Sequence, residues 1–391
     1  MLSRFLFWFS LGWLLYVYMG YPLLLGLLSL VRPFRCRPRP DYQPRVSLLF
    51  SAKDEIAALP SKMANLRALD YPRDKTQILV ASDGSTDGTV TFLRQQPDIE
   101  VQVLETSVGK NEALNRLLPR ATGEILFFTD ANTSFDPAAI RATVALFADC
   151  RVGVVTGDLR YVGRDPSDSV AQGTGLYWWY ENLVKRLESS IGSVLVAAGP
   201  LLAVRRGRIT MLYPEVANDF HLPMVAAAAG DAVLYSAAFL GSERAASELK
   251  DEFWRTARIV SRGTSGCRRL WQAIMLRPLR FWQLVSHKIM RWLIAPILLV
   301  LLMSTLGLVS DSPSSIHIVV AIGQVVFYGA ALVGGMLHML GIRAGVLYVP
   351  YHFLVLNVAA LVGLAQSLTK GAPSIWEKPA SARDLGSCDK P

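Results

Sequence analysis

Cysteine is scarce, four in 391 residues, and Cys36, Cys150, Cys267 and Cys388 stand far apart without any metal-ligand spacing. That excludes a disulfide scaffold and a thiolate zinc site, and it agrees with a reducing compartment for the folded part. Two other ligand motifs are present only in fragments. The run Asp83-Gly84-Ser85-Thr86-Asp87-Gly88-Thr89 begins like a calcium loop, but its twelfth position is Arg94 where a carboxylate is required. Gly109-Lys110 ends like a phosphate-binding P-loop, yet the glycine needed five residues earlier is Leu104. Internal repeats and a nucleophilic triad are also missing, so neither a solenoid nor covalent catalysis is expected.

What the chain has in quantity is apolar surface: 52% hydrophobic residues against 18% charged, with a mean hydropathy of +0.32. Residues 5–31 carry no charge and are long enough to span a bilayer. No small-residue cleavage site follows, which favours an anchor over a signal peptide. Arg32, Arg35, Arg37 and Arg39 come next, and positive-inside bias makes that end cytoplasmic. Three more apolar stretches, 293–310, 316–342 and 346–369, close the chain. Four spans put the C-terminus outside, against the bias of Lys370, Lys378, Arg383 and Lys390. Between the anchor and these spans, residues 251–292 interleave arginines with Trp271, Trp282 and Trp292, a mixture suited to helices lying in a membrane interface. The net charge of +9 is concentrated at such places, so anionic lipid rather than nucleic acid is the expected partner. The expected divisions are 1–44, anchor and basic linker; 45–265, soluble domain; 266–292, interfacial helices; 293–370, membrane helices; 371–391, polar tail.

Within the soluble domain, residues 78–133 contain three apolar runs that each stop at carboxylates, glycines or small polar residues. ILVAS runs into Asp83, VQVLE into Gly109-Lys110, and ILFFT into Asp130-Ala131-Asn132; a fourth strand, VSLLFSA, ends at Lys53-Asp54-Glu55. The spacing predicts an α/β fold with a mostly parallel sheet, whose ligands bind beyond the carboxyl ends of the strands. AAAAGDAVLYSA reads as a further hairpin or edge strand. Hard carboxylate oxygens at strand ends suit a divalent cation, Mg²⁺ or Mn²⁺, on a nucleoside diphosphate. Asp130 is the expected metal ligand and Asn132 its neighbour; Asp54, Glu55 and Asp83 face base and ribose hydroxyls, and Lys110 meets the nucleotide. Residues 169–190 read as a helix whose Tyr177, Trp178, Trp179 and Tyr180 either pack or stack on sugar rings.

The ordered set Asp54-Glu55, Asp83 to Thr89, Gly109 to Asn115 and Phe128 to Asn132 resembles the family 2 glycosyltransferases with a GT-A fold. The membrane layout resembles the branch of cellulose, hyaluronan and poly-N-acetylglucosamine synthases. The resemblance implies a Rossmann-like GT-A domain inserted between an N-terminal transmembrane helix and C-terminal transmembrane helices. It implies inverting transfer from a nucleotide sugar, usually a UDP-sugar, in a multi-pass protein of the bacterial inner membrane with a cytoplasmic catalytic domain. It carries Asp54, Glu55, Asp83 and Lys110 to donor contacts and Asp130 to the first carboxylate of Asp-x-Asp, with Asn132 at the third position. Gly199, Pro200 and Leu201 would line the acceptor with Trp178. Asp219 would be the general base, and Arg258 would match the arginine of the Gln-x-x-Arg-Trp motif, where Arg255 replaces the glutamine.

The leading expectation is extension of a polysaccharide. Single-sugar transfer to a polyprenyl-linked acceptor is the alternative, and an inactive scaffold or nucleotide-sugar-binding subunit is the non-enzymatic one. Four spans are few for a wide polysaccharide channel, which leaves a homo-oligomer or an export subunit as the expected partner. Asp219 also has a plain structural reading as a helix N-cap.

Overall fold

The computed structural model describes residues 1–162, 169–244, 249–275, 277–342 and 344–371. Apart from Gly371, the polar tail expected over 371–391 lies outside the described residues, as do the side chains of 169–177, including Tyr177.

The buried run Val46–Ala52 forms β1, apolar on both faces as a central parallel strand must be. It pairs in parallel with β2 (Thr76–Asp83) on one side and β4 (Ile125–Phe128) on the other, in a register that sets Leu49 beside both Leu79 and Phe128. Outside β2 lies β3 (Glu100–Leu104), also parallel. All the expected strands therefore form, and their carboxyl ends share one edge. Beyond β4 the sheet changes character. The strand β7 (Leu202–Arg205) runs antiparallel to both β4 and β6 (Val152–Val162). Next to β6 lies the parallel β8 (Ala232–Arg244), and β5 (Ser134–Phe135) closes the edge antiparallel to β8. The order β3-β2-β1-β4-β7-β6-β8-β5 is thus mixed rather than mostly parallel. The segment expected as a hairpin or edge strand is the interior strand β8, held between β6 and β5.

Each sheet face carries its own apolar core: Leu48, Phe50, Phe127, Leu201 and Phe239 on one, and Leu49, Leu79, Phe128, Leu202 and Leu222 on the other. Turns at the carboxyl edge are tight. Gly84, at φ 62°, lies so close to the Ser107 amide that a Cβ there would collide with it.

Among the described residues, four helices are long and apolar enough to cross a membrane: Leu2–Val31, Ile294–Asp311, Ser315–Met339 and Gly345–Thr369. They join the sheet domain through three helical segments. The aromatic helix Ser169–Ser190 meets the first span, where the Tyr21 hydroxyl donates to Glu188 Oε1 at 2.6 Å and the Tyr180 hydroxyl to the Val17 carbonyl at 3.1 Å. The arginine helix Leu249–Arg269 lies on the last span. A Cβ at Gly363 would collide with the Ala257 carbonyl, and Arg268 donates to the Ser367 carbonyl at 3.0 Å. Residues 266–292, expected as interfacial helices, pack between domain and spans over part of their length, while Trp271, Met275 and Arg277 stay exposed. Arg280 is buried and donates to the Gly192 carbonyl at 3.1 Å, Gln283 and His287 are buried, and Trp282 donates to the Tyr16 hydroxyl at 2.9 Å. Their apolar neighbours Leu270, Ile274 and Leu284 pack on Val216, Phe220 and Met224 of the domain.

Candidate active site

At the end of β1, Asp54 adopts φ 53°, the only positive φ on a residue other than glycine among those described. Such a conformation is disfavoured for a side chain with a Cβ and persists where surrounding bonds impose it. Here the Asp54 carboxylate accepts from the Thr86 amide at 2.8 Å, while its own amide donates to Ser85 at 3.2 Å, so the ends of β1 and β2 are tied together. Glu55 is buried beside it, its amide donating to Thr89 at 2.9 Å. Asp83 is buried at the end of β2, and both its oxygens are engaged by the next loop, accepting from the Val108 amide at 2.7 Å, the Gly109 amide at 3.0 Å and the Ser107 hydroxyl at 3.1 Å. In the described structure Asp83 fixes the loop that delivers Lys110, the first residue of helix Lys110–Leu117.

Lys110 reaches across to form an ion pair with Asp130. The loop 129–133 that carries Asp130 is clamped from beneath by Lys62, a fully buried lysine donating to the Thr129 hydroxyl at 3.0 Å and the Thr133 carbonyl at 2.6 Å. Burial pushes the Lys62 ammonium down to about 7, with Asp130 and Glu243 opposing the shift. Asn132 donates to Glu243 Oε1 at 2.6 Å, which brings in an acidic residue from the distant strand β8. Burial, with Asp130 adding to it, raises the Glu243 pKa. No three His, Cys, Asp or Glu side chains converge into a metal cage among the described residues. Asp130, Glu243 and the Asn132 amide oxygen nonetheless make a hard-oxygen donor set that fits Mg²⁺ or Mn²⁺ when diphosphate oxygens complete the shell.

Asp219 is the second residue of helix Asn218–Ala228, whose cap position is Ala217. The N-cap reading is therefore corrected: the residue one position before the helix is an alanine, and Asp219 lies inside the first turn. Its carbonyl accepts from the Ala197 amide at 2.9 Å, and Gly199 sits against its carboxylate, leaving ordinary van der Waals room between them. Burial raises the Asp219 pKa, against the pull of Lys110, Arg262, Lys288 and Lys185. Arg258, on the arginine helix, is lowered to about 10 by burial and by its neighbours Arg255 and Arg262, with Asp130 and Asp219 acting the other way. One guanidinium thus lies within electrostatic reach of both Asp130 and Asp219. Arg255 bonds the Tyr161 hydroxyl and covers its ring at 5.2 Å, and Trp178 lies against that ring at 5.4 Å.

Asp54, Glu55, Asp83, Lys110, Asp130 and Asn132 are thus gathered at one sheet edge, with Gly199 beside Asp219 and Arg258 within electrostatic reach of both Asp130 and Asp219. Leu201 is not at the site. Its side chain is fully buried in the sheet core and packs toward Gly157 and Gly241, while its carbonyl accepts from the Gly157 amide at 3.0 Å. The acceptor expectation for Leu201 is corrected accordingly; Gly199 and Pro200 remain half-exposed on the loop. Of the aromatic residues, Trp179 points outward, 63% exposed, and Tyr180 is tied to the first span. Lys62, Lys185 and Glu243 were not singled out by sequence reasoning. Glu243 has no local signal, because only the pairing of β8 with β5 and β6 brings it to the loop after β4.

Residues 47–207 match the family model described as Glycosyl transferase family 2. A beta-monoglucosyldiacylglycerol synthase of Synechocystis sp. is 32% identical over 118 residues, 29% of this chain and 25% of the relative. A poly-beta-1,6-N-acetyl-D-glucosamine synthase of Staphylococcus epidermidis is 26% identical over 158 residues, 39% of this chain and 38% of the relative. The chain thus spans well under half the length of these curated relatives. Among solved structures, a mannosyltransferase of Pyrobaculum calidifontis in complex with GDP-Man and Mn²⁺ superposes with a TM-score of 0.66 at 21% identity, covering 93% of this chain and 99% of the other. That similarity establishes the GT-A-like fold.

Proposed function

The chain carries a family 2 glycosyltransferase domain over residues 47–207, and from that premise we propose an inverting, membrane-bound enzyme that moves a sugar from a nucleotide-sugar donor, a UDP-sugar, to a hydroxyl presented by the membrane. The observation that carries this reading is the arginine helix. Arg258 lies within reach of Asp130 and Asp219, while Ala257, its neighbour, contacts the last span at Gly363. Chemistry built on that helix takes place at the bilayer surface.

Asp54, Glu55 and Asp83 frame the nucleoside, and Lys110 meets the diphosphate. Asp130, with Asn132 and Glu243, would hold a divalent cation, which when bound neutralises diphosphate charge; GDP-Man and Mn²⁺ in the mannosyltransferase support a divalent metal in general. Asp219 takes the proton from the acceptor hydroxyl as its oxygen bonds the anomeric carbon. The bond from that carbon to the diphosphate oxygen breaks on the opposite face, and the electron pair leaves with the nucleoside diphosphate. Arg258 faces the charge that develops there with an always-cationic, fork-shaped group. A half-buried carboxylate with a raised pKa is a better proton acceptor than an ordinary one, and such general-base help is worth ~10²–10⁴-fold. Gly199, Pro200 and Trp178 form the acceptor side. The positive-inside bias of Arg32 to Arg39 supports a cytoplasmic domain.

Four candidate spans and a relative named for a diacylglycerol lipid support a lipid-borne acceptor. The name of the poly-N-acetylglucosamine synthase relative supports the second reading, a growing polysaccharide. Product length separates them: purified full-length protein, given a panel of nucleotide sugars and lipid acceptors, is expected to release nucleoside diphosphate and add one sugar per lipid. A ladder of long polymer establishes the second reading instead, and no turnover with any donor refutes both.

A further inference from the structure

The last of the four candidate spans does not sit like the other three. Down the first span the chain passes Ser312 at Arg4, the Met290 carbonyl at Trp13, Ser286 at Tyr16 and Glu188 at Tyr21. Ser312 therefore marks the end of the bundle far from the domain, and Met290 to Trp292 mark the near end. The second and third spans run between those levels, with Phe7 packed on Leu301 and Leu308, and the Tyr328 hydroxyl bonding the Leu298 carbonyl at 3.4 Å. Helix Tyr348–Thr369 has 22 residues, about 33 Å, so standing upright it would bring Ser367 to the level of Ser312. Instead both its ends lie at the near level. Tyr348 packs against His338, at the near end of the third span, with ring centroids 5.3 Å apart. Ser367 meets the Ser265 hydroxyl at 3.5 Å and accepts from Arg268 at 3.0 Å, and Gly263, two residues from Ser265, packs on the Trp292 ring.

Between its ends this helix follows the arginine helix. His352 Nε2 is 2.8 Å from Glu252 Oε2, and Gly363 abuts the Ala257 carbonyl. The arginine helix lies in turn on the sheet domain over the same stretch, with Arg255 on the Tyr161 hydroxyl, Arg262 on the Pro214 and Val216 carbonyls at 3.1 and 3.0 Å, and Gly266 against Phe220. An upright last helix would draw Asp251, Arg255, Arg258, Arg262 and Arg268 to the depth of the hydrocarbon core, where such groups are costly. From these contacts, and resting on the membrane-bound reading, we infer that Tyr348–Thr369 does not cross the bilayer but lies along the membrane face next to the domain, its partner the lipid of that leaflet. Its two faces suit this placement. Small residues, Ala359, Ala360, Gly363 and Ser367, are buried, which lets the arginine helix approach closely, while Val358, Leu361 and Leu368 are exposed at helical spacing and bed in lipid. The chain then crosses three times, and Lys370 returns to the side of Arg32 to Arg39, as the positive-inside bias asks.

The test uses full-length protein with Cys36, Cys150 and Cys388 replaced by serine and the buried Cys267 kept. Impermeant maleimide labelling of Lys370→Cys and Asp311→Cys, in intact cells and in inside-out vesicles, is compared with that of a protein that retains Cys150, which is exposed on the domain. Lys370→Cys is expected to label from the same side as Cys150 and Asp311→Cys from the other; Lys370→Cys labelling with Asp311→Cys overturns the inference. Labelling of both Lys370→Cys and Cys150 from outside the cell refutes the cytoplasmic placement of the domain and leaves the inference standing. Spin labels at Val358→Cys, Leu361→Cys and Leu368→Cys in nanodiscs read depth from oxygen and nickel accessibility. Equal, shallow depths are expected, whereas a spread of about 15 Å between 358 and 368, the rise of ten helical residues, overturns the inference.

Discussion

Asp219→Asn separates catalysis from folding because the structure bounds both effects. The residue lies in the first turn of its helix with alanine at the cap, so the substitution removes no capping bond. It forfeits only a charge–dipole contribution of about 0.3–1 kcal/mol, and the burial that raises the Asp219 pKa already offsets part of that. Stability should therefore change by less than about 1 kcal/mol. The loss of a proton acceptor should lower kcat by ~10²–10⁴-fold, or ~3–5.5 kcal/mol of transition-state stabilisation. The assay is nucleoside diphosphate release by purified full-length protein, alongside thermal unfolding and donor binding. In the wild type the acid limb of kcat/KM should report a group above the ordinary aspartate value, activity falling as pH drops through it, and the variant should lack that limb. Turnover in Asp219→Asn within tenfold of wild type, with donor still bound, would place the base elsewhere and refute the reasoning.

Asp130→Ala should abolish metal-dependent donor binding measured by calorimetry, and full wild-type activity in EDTA would refute a metal at this site. Glu243→Gln should raise the Mn²⁺ concentration needed for half-maximal donor binding by about tenfold or more, an effect absent if Glu243 only braces Asn132. Lys62 should make stability rise with pH: the unfolded chain keeps its proton to about 10.5, the folded one loses it near 7, so a burial penalty of ~5 kcal/mol present below pH 7 is relieved between 7 and 10.5. Thermal unfolding across that range should show the rise in wild type and a flatter profile in Lys62→Met; identical profiles exclude it. Cys150 is exposed on the domain, so with Cys36 and Cys388 replaced by serine an impermeant maleimide should label inside-out vesicles and not intact cells, and the reverse pattern inverts the topology.

The donor half was legible because each of its groups ends a local apolar run. Val46–Ala52, Thr76–Asp83 and Ile125–Phe128 are buried strands whose chemistry sits at the next residues, so periodicity alone delivered Asp54, Asp83 and Asp130 to one edge. The other half depends on contacts that no local pattern encodes. β7 runs against its neighbours after a loop whose Leu201 faces the core, and Glu243 reaches Asn132 from a strand whose alternation looked like an edge. Lys62 sits in an ordinary helical pattern, and only the fold shows that its position faces the loop 129–133 and not solvent.

The same distinction applies to residues 266–292, expected as interfacial helices, part of which packs against the domain. Arginine and tryptophan at helical spacing suit a bilayer surface, but they equally suit a protein junction that has to bury cationic heads against carbonyls and carboxylates. Arg280 on the Gly192 carbonyl, Arg291 on Glu181, and His287 on Glu188 at 2.8 Å are contacts of the second kind. Glu181, on which burial acts upward, is held well below its usual range by Arg291, Lys288 and His287, so it is charged and its partners are fixed around it. Breaking one member of such a buried set leaves an uncompensated charge at a cost of roughly 3–5 kcal/mol, which makes the aromatic helix and the segment entering the second span move as one body. Trp178 belongs to that body and Arg258 to the helix seated on Gly345–Thr369. The groups proposed for the acceptor are therefore positioned by the membrane helices, while those proposed for the donor are positioned by the sheet.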